Sequence, residues 1–147
     1  MEHKLDLVSI LKKKNVKVTE IHKWGTYLRK QFEVHFADHL SEKEKRSIFL
    51  HDEDGLCGFL WHIFSYEKKE HLNDEQADFA FENLLKQSCF VFYQNSNDAY
   101  ILDNAYSISA KDFGNEEDIY IVDKDFNWTY VRTHETGLCG PYFCQKS

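Results

Sequence analysis

Residues 118–143, DIYIVDKDFNWTYVRTHETGLCGPYF, restrict what this chain can fold into more than any other stretch. Ile119 and Ile121 point one way and Tyr120 and Val122 the other, while Trp128, Tyr130, Arg132 and His134 form one set against Thr129, Val131 and Thr133. Both runs are rich in β-branched and aromatic residues and flank a polar turn, so the spacing predicts a hairpin over 118–134 followed by a glycine-rich tail.

A second hairpin is expected upstream. CFVFY at 89–93 reads as a strand buried on both faces, Asn95-Ser96-Asn97-Asp98 as its turn, and 99–102 as the returning strand. Before residue 88 the period is helical. A short helix is expected over 3–14 and a short extended piece over 16–19. A longer helix over about 23–38 carries Trp24, Tyr27, Leu28, Gln31, Phe32, His35 and Phe36 on one stripe, weakened slightly by Gly25. Ser41 with Glu44, and Asn73 with Gln76, have the spacing of capping boxes, the second opening a helix to about 87 with Ala77, Ala80, Phe81, Leu84 and Leu85 inward. HDEDG at 51–55 breaks regular structure, 56–66 is too uniformly apolar for periodicity to separate strand from helix, although helix is preferred, and 109–113 reads as a helical turn. Helices followed by strands give an α+β expectation: one domain over 1–147, with N-terminal helices packed on a C-terminal antiparallel β-meander of about four strands.

Composition supports one core. A chain of 147 residues with 42% hydrophobic and 16% aromatic residues is not a disordered polymer, even at 29% charged. No continuous apolar run suits a signal peptide or a membrane span, so no membrane association is expected. Cys57, Cys89, Cys139 and Cys144 are read as reduced thiols of a cytoplasmic protein, which at this size needs no disulfide staples. Residues 1–50 hold 11 Lys/Arg against 7 Asp/Glu, and 51–147 hold 7 against 18. An acidic C-terminal part disfavours nucleic acid, which requires a basic stripe. If its carboxylates cluster, with Asp112, Glu116, Glu117, Asp118, Asp123 and Asp125 around the last hairpin, they suit a basic protein partner; dispersed, they only keep the chain in solution.

Motifs that carry chemistry are incomplete. Asp123-x-Asp125-x-Asn127 opens like a calcium loop but has Trp128 where the sharp turn needs glycine and His134 where a bidentate glutamate belongs, so it reads as a turn. His35 and His39 lie one helical turn apart and could share a zinc ion if a third ligand came from His22, Asp38, Cys57 or His62, yet the glutamate of H-E-x-x-H is missing. Cys139-x4-Cys144 lacks a zinc-knuckle spacing, and Cys57 near His62 is a thiol–base pair only if the fold joins them. With no G-x-S-x-G, P-loop or G-x-G-x-x-G present, no cofactor is expected. The most suggestive polar set is Arg132, His134 and Glu135, which with Trp128 and Tyr130 would line one strand face able to take an anionic or aromatic ligand; the same pattern also fits a solvent-facing strand paired to acidic neighbours.

GLCGFLWHIFSYEKKE, CFVFYQ and the 118–143 block together resemble a family of small uncharacterised proteins of Gram-positive, bacillus-type bacteria, known only as a domain of unknown function. That resemblance spans nearly the whole chain and implies a bacterial cytosolic origin; it carries over no catalytic residue. The W-T-x-V…H-E…G-P-Y-F tail alone is similar to small immunity-type proteins that neutralise toxins. The resulting expectation is a non-enzymatic protein-binding or regulatory module of immunity-like kind, with Trp128, Tyr130, Arg132, His134 and Glu135 as its binding residues. The alternative is a small metal- or thiol-dependent enzyme using His35, His39, His62 and Cys57.

Overall fold

A computed structural model describes residues 6–51 and 58–146. Helices α1 (Leu7–Lys13), α2 (Gly25–Phe36), α3 (Glu42–Ser47), α4 (His62–Ser65) and α5 (Asp74–Glu82) all lie before residue 83, with strands β1 (Lys17–Ile21) and β2 (Leu72–Asn73) set among them; β3 (Ser88–Tyr93), β4 (Ala99–Asp103), β5 (Ile119–Asp123), β6 (Trp128–Arg132) and β7 (Tyr142–Gln145) follow. All seven strands join one antiparallel sheet in the order β1-β4-β3-β5-β6-β7-β2.

This corrects the expected four-strand meander under N-terminal helices. Both predicted hairpins form, but β5 pairs with β3 rather than β4, in the register Val91 to Ile121 and Phe92 to Tyr120. The extended piece near Val18 lengthens into β1 and zips onto β4, and β7 and β2 extend the opposite side. Helices cover both faces. One core holds Phe32 and Phe36 of α2 with Trp61, Phe92, Tyr120 and Val131; the other holds Leu11 of α1 and Phe81 of α5 with Val91, Ile121, Trp128 and Tyr130. Alternate residues of β3, β5 and β6 therefore feed two different cores, which is why these strands are apolar almost throughout.

Local chemistry explains how several of these elements begin and end. Ser41 Oγ accepts from Glu44 N at 3.1 Å while Glu44 Oε1 accepts from Ser41 N at 3.0 Å, so the predicted capping box starts α3. The second capping box is not made: Asn73 has no side-chain cap bond, and the Asp74 amide instead donates to Pro141 O at 2.9 Å, tying α5 to the approach of β7. That helix stops at Glu82, leaving Leu85 82% exposed rather than inward. Gly25 opens α2 where a Cβ would lie 2.6 Å from Ser96 O and 2.8 Å from Asn97 Cα, so its lack of a side chain admits the β3–β4 turn instead of merely weakening the helix. Arg29 secures the same junction, donating to Tyr93 O at 2.8 Å and Ser96 O at 2.7 Å. Of 56–66, the described part forms a turn and the single-turn α4. The break expected at 52–55, together with Leu56 and Cys57, lies outside the described residues.

Candidate functional site

The strip of binding residues read from β6 divides in the fold. Trp128 is buried beside Phe81, and Tyr130 stacks on Phe81 with ring centroids 4.4 Å apart. The Tyr130 hydroxyl donates to Asp78 Oδ1 at 2.5 Å, and Arg132 Nη1 donates to that same hydroxyl at 3.1 Å. Burial and the Asp78 bond push the Tyr130 phenol far above its ordinary value. Arg132 Nε is buried and has no hydrogen-bond partner among the described residues. These three side chains belong to the side of the sheet covered by α1 and α5.

His134 and Glu135 sit elsewhere. Regular pairing ends at Arg132, and the chain then folds into a turn in which Thr136 Oγ1 bonds Thr133 O at 2.8 Å and the Thr133 hydroxyl bonds Cys139 O. Two-residue alternation stops with the strand, so His134 swings to the α2-side core and packs near Phe59 and Trp61, with centroid distances of 5.1 and 5.8 Å.

Asp118 organises this second place. Its Oδ1 accepts from Trp61 Nε1 at 3.0 Å and from the His134 amide at 3.2 Å, and His134 Nδ1 lies 3.0 Å from both carboxylate oxygens. The carboxylate is nearly buried at 8% exposure, whereas the His134 ring is 38% exposed. Trp61 is held from below as well: its amide donates to Tyr120 Oη at 3.1 Å, Tyr120 donates to Gln94 Oε1 at 2.5 Å, and Gln94 Oε1 also receives the Leu60 amide at 3.0 Å. The hydrogen bond to Asp118 is the main cause that raises the His134 pKa, opposed by partial burial and assisted by the negative charges of Asp118, Glu135 and Glu117.

Above Trp61 and His134 opens a recess of about 250 Å³ lined also by Phe49, Phe59, His62, Tyr66 and Glu135. Trp61 is buried at its base, while Phe49 and Tyr66 stand at its mouth, 49% and 45% exposed. Phe49 is fixed through its carbonyl, which accepts the Phe59 amide at 3.1 Å and His62 Nδ1 at 3.0 Å. Rings continue around the recess, Phe59 to Trp61 at 5.2 Å, Trp61 to His62 at 4.7 Å and His62 to Tyr66 at 5.3 Å. Chemically, a carboxylate behind Nδ1 fixes the imidazole and leaves Nε2 to exchange a proton, as in a general base. No hydroxyl or thiol nucleophile of Ser, Thr or Cys lines the recess among the described residues, which leaves aromatic rings, the imidazoles of His62 and His134 and the single carboxylate of Glu135 as its recognition chemistry.

The sequence-predicted metal residues are each engaged separately. His35 stacks on Phe126 at 4.7 Å and its Nδ1 receives Lys146 Nζ at 2.7 Å; burial first, then Lys146, lower its pKa. His39 Nε2 bonds Lys68 O at 2.7 Å, and His62 bonds Phe49 O. Among the described residues no three His, Cys, Asp or Glu side chains converge as a metal site requires, and Cys57 lies outside those residues. Cys89 is buried and its thiol is pushed up to about 12 by desolvation, as for an inert core cysteine. No local sequence signal marks Trp61 and Asp118 as site residues, because their pairing joins positions 57 apart in sequence.

A family model described as a domain of unknown function, DUF4275, matches residues 5–143. The chain belongs to the DUF4275 family. No curated protein and no solved structure shows significant similarity to this DUF4275 chain. Among its described residues no helix is long and apolar enough to cross a membrane.

Proposed function

We propose that this DUF4275 domain is a non-enzymatic binding module of the bacterial cytosol, regulating or neutralising another protein whose docking face is basic. The observation that supports it best is the meeting, at one end of the sheet, of the half-exposed rings of Phe49 and Tyr66 with Glu135, beside which Glu117 also acts on His134. Aromatic anchors supply contact area at protein interfaces, and surrounding charge of one sign speeds encounter with the opposite sign. The resemblance of the tail to small immunity-type proteins agrees with such a role.

The acidic surface differs in membership from the sequence expectation. Asp112 is buried and paired to Lys14 Nζ at 2.8 Å, and Asp118 is buried beneath His134, so neither can meet a partner. Glu117, Asp125 and Glu135 are exposed, and Glu116 and Asp123 are half-buried. Affinity capture from bacillus-type cytosol, comparing wild type with a Glu116→Gln, Glu117→Gln, Glu135→Gln variant, tests the reading. A basic protein is expected to be retained by wild type, with retention falling as salt is raised past the range where the Debye length is about 8 Å. Equal recovery of the same proteins by both forms at every salt concentration would overturn it.

A further inference from the structure

We propose that the recess over Trp61 is a receptor for one arginine side chain of the basic partner, the guanidinium lying against the exposed rings of Phe49 and Tyr66 and the partly exposed ring of Phe59, above the buried Trp61, with the Glu135 carboxylate at its edge. Resting on the binding reading above, this adds the chemical group that is recognised. Size is the first argument. At about 250 Å³ the recess is smaller than the roughly 300–1,000 Å³ of small-molecule clefts and matches a single side chain. Chemistry is the second. Ring faces carry negative quadrupole charge, and a flat, weakly hydrated guanidinium stacks on them at a lower desolvation cost than a compact ammonium. Glu135 adds a carboxylate at the mouth, and Tyr66 keeps 45% of its surface uncovered in the folded chain.

His134 makes occupancy depend on pH. Asp118 lies behind its ring, Glu135 and Glu117 act on it from the turn and from the approach to β5, and His62 faces the same recess from α4. A protonated His134 repels a cationic guest, so affinity should rise as pH climbs through its raised pKa.

Direct titration of the intact chain tests this, following the Trp61 indole N–H by NMR with Trp24 and Trp128 as internal references. The probes are N-ethylguanidinium and its neutral planar isostere N-ethylurea, at matched ionic strength. A saturable shift of Trp61 with the cation alone is expected, with binding tighter at pH about 8.5 than at about 5.5. Tyr66→Ala and Glu135→Gln should each weaken binding by about three- to tenfold. Both side chains are substantially exposed, and unchanged Trp24 and Trp128 resonances establish that each variant is folded. Equal response to the urea, equal shifts at all three indoles, wild-type affinity in both variants, or weaker binding at high pH would overturn the assignment. Charge-dependent partner capture without cation binding would reject the recess and leave the docking reading standing; cation binding without any basic partner would do the reverse.

Discussion

Asp118 combines a left-handed backbone, φ 50°, with a buried carboxylate serving the Trp61 indole, the His134 amide and the His134 ring. Aspartate is one of the few residues other than glycine that enters this backbone region readily, and here that conformation accompanies a carboxylate turned toward donors from two distant segments. Replacing it with asparagine removes the charge while retaining one acceptor oxygen. Asp118→Asn should destabilise the fold by on the order of 1–3 kcal/mol, because buried donors lose an ionised acceptor. It should also bring the His134 pKa down toward its ordinary 6.5, since the Asp118 bond is the first cause of the rise. The sign for stability follows from the direction: a histidine whose folded pKa lies above 6.5 contributes fully below that value, and its contribution is lost as pH rises through the raised pKa. An NMR titration showing the same His134 pKa in Asp118→Asn as in wild type would contradict this account.

At the scale of elements, β3 links the two hairpins: it pairs with β4 on one side and β5 on the other, and its Phe92 is fully buried. Phe92 stacks on Tyr120 at 5.0 Å and meets Phe32 edge-on at 6.1 Å, joining sheet to α2. Phe92→Ala should therefore cost about 3–5 kcal/mol, whereas an unchanged urea midpoint would show that the ring does not join these layers. Elements governed by local rules are legible from sequence: the two hairpins, the Ser41 box, the helical turn at Ala110–Phe113 and the Leu28, Phe32 and Phe36 part of the α2 stripe, whose expected members Trp24 and Tyr27 are instead exposed, 39% and 52%. Those decided by distant pairing are not. Tyr142–Gln145 and Leu72–Asn73 are too short to announce a strand alone and become one by adding to β6 and to each other. The site shows the same division. The last block points to His134 and Glu135, but grouping them with Trp128, Tyr130 and Arg132 carries strand alternation past the end of β6 at Arg132. Trp61 gave only an apolar run, and Asp118 looked like one surface carboxylate among many; the pairing that gives both their role is tertiary.

Across the whole molecule, the strand order implies a gradient of stability from centre to edge. β3 and β5 have neighbours on both sides and residues such as Val91, Phe92, Tyr120 and Ile121 without solvent exposure, whereas β1 has one neighbour, β4, and no fully buried residue. The other margin is a two-residue strand, β2, held to β7 by the register Leu72 to Phe143 and Asn73 to Tyr142. An opening that frees β1 exposes little of either core; freeing β3 or β5 exposes both and so requires global unfolding. Native-state hydrogen exchange should therefore find Val91, Phe92, Tyr120 and Ile121 amides protected to the global limit, with denaturant dependence matching complete unfolding. Paired amides of β1 should exchange orders of magnitude faster by local opening that varies little with denaturant. The recess-bearing end of the sheet lies between these limits, because Asp118 and Gln94 fasten Trp61 and His134 to the start of β5 and the end of β3. Protection of β1 equal to that of β5, or fast exchange at Ile121, would contradict a sheet stabilised from its centre by two cores.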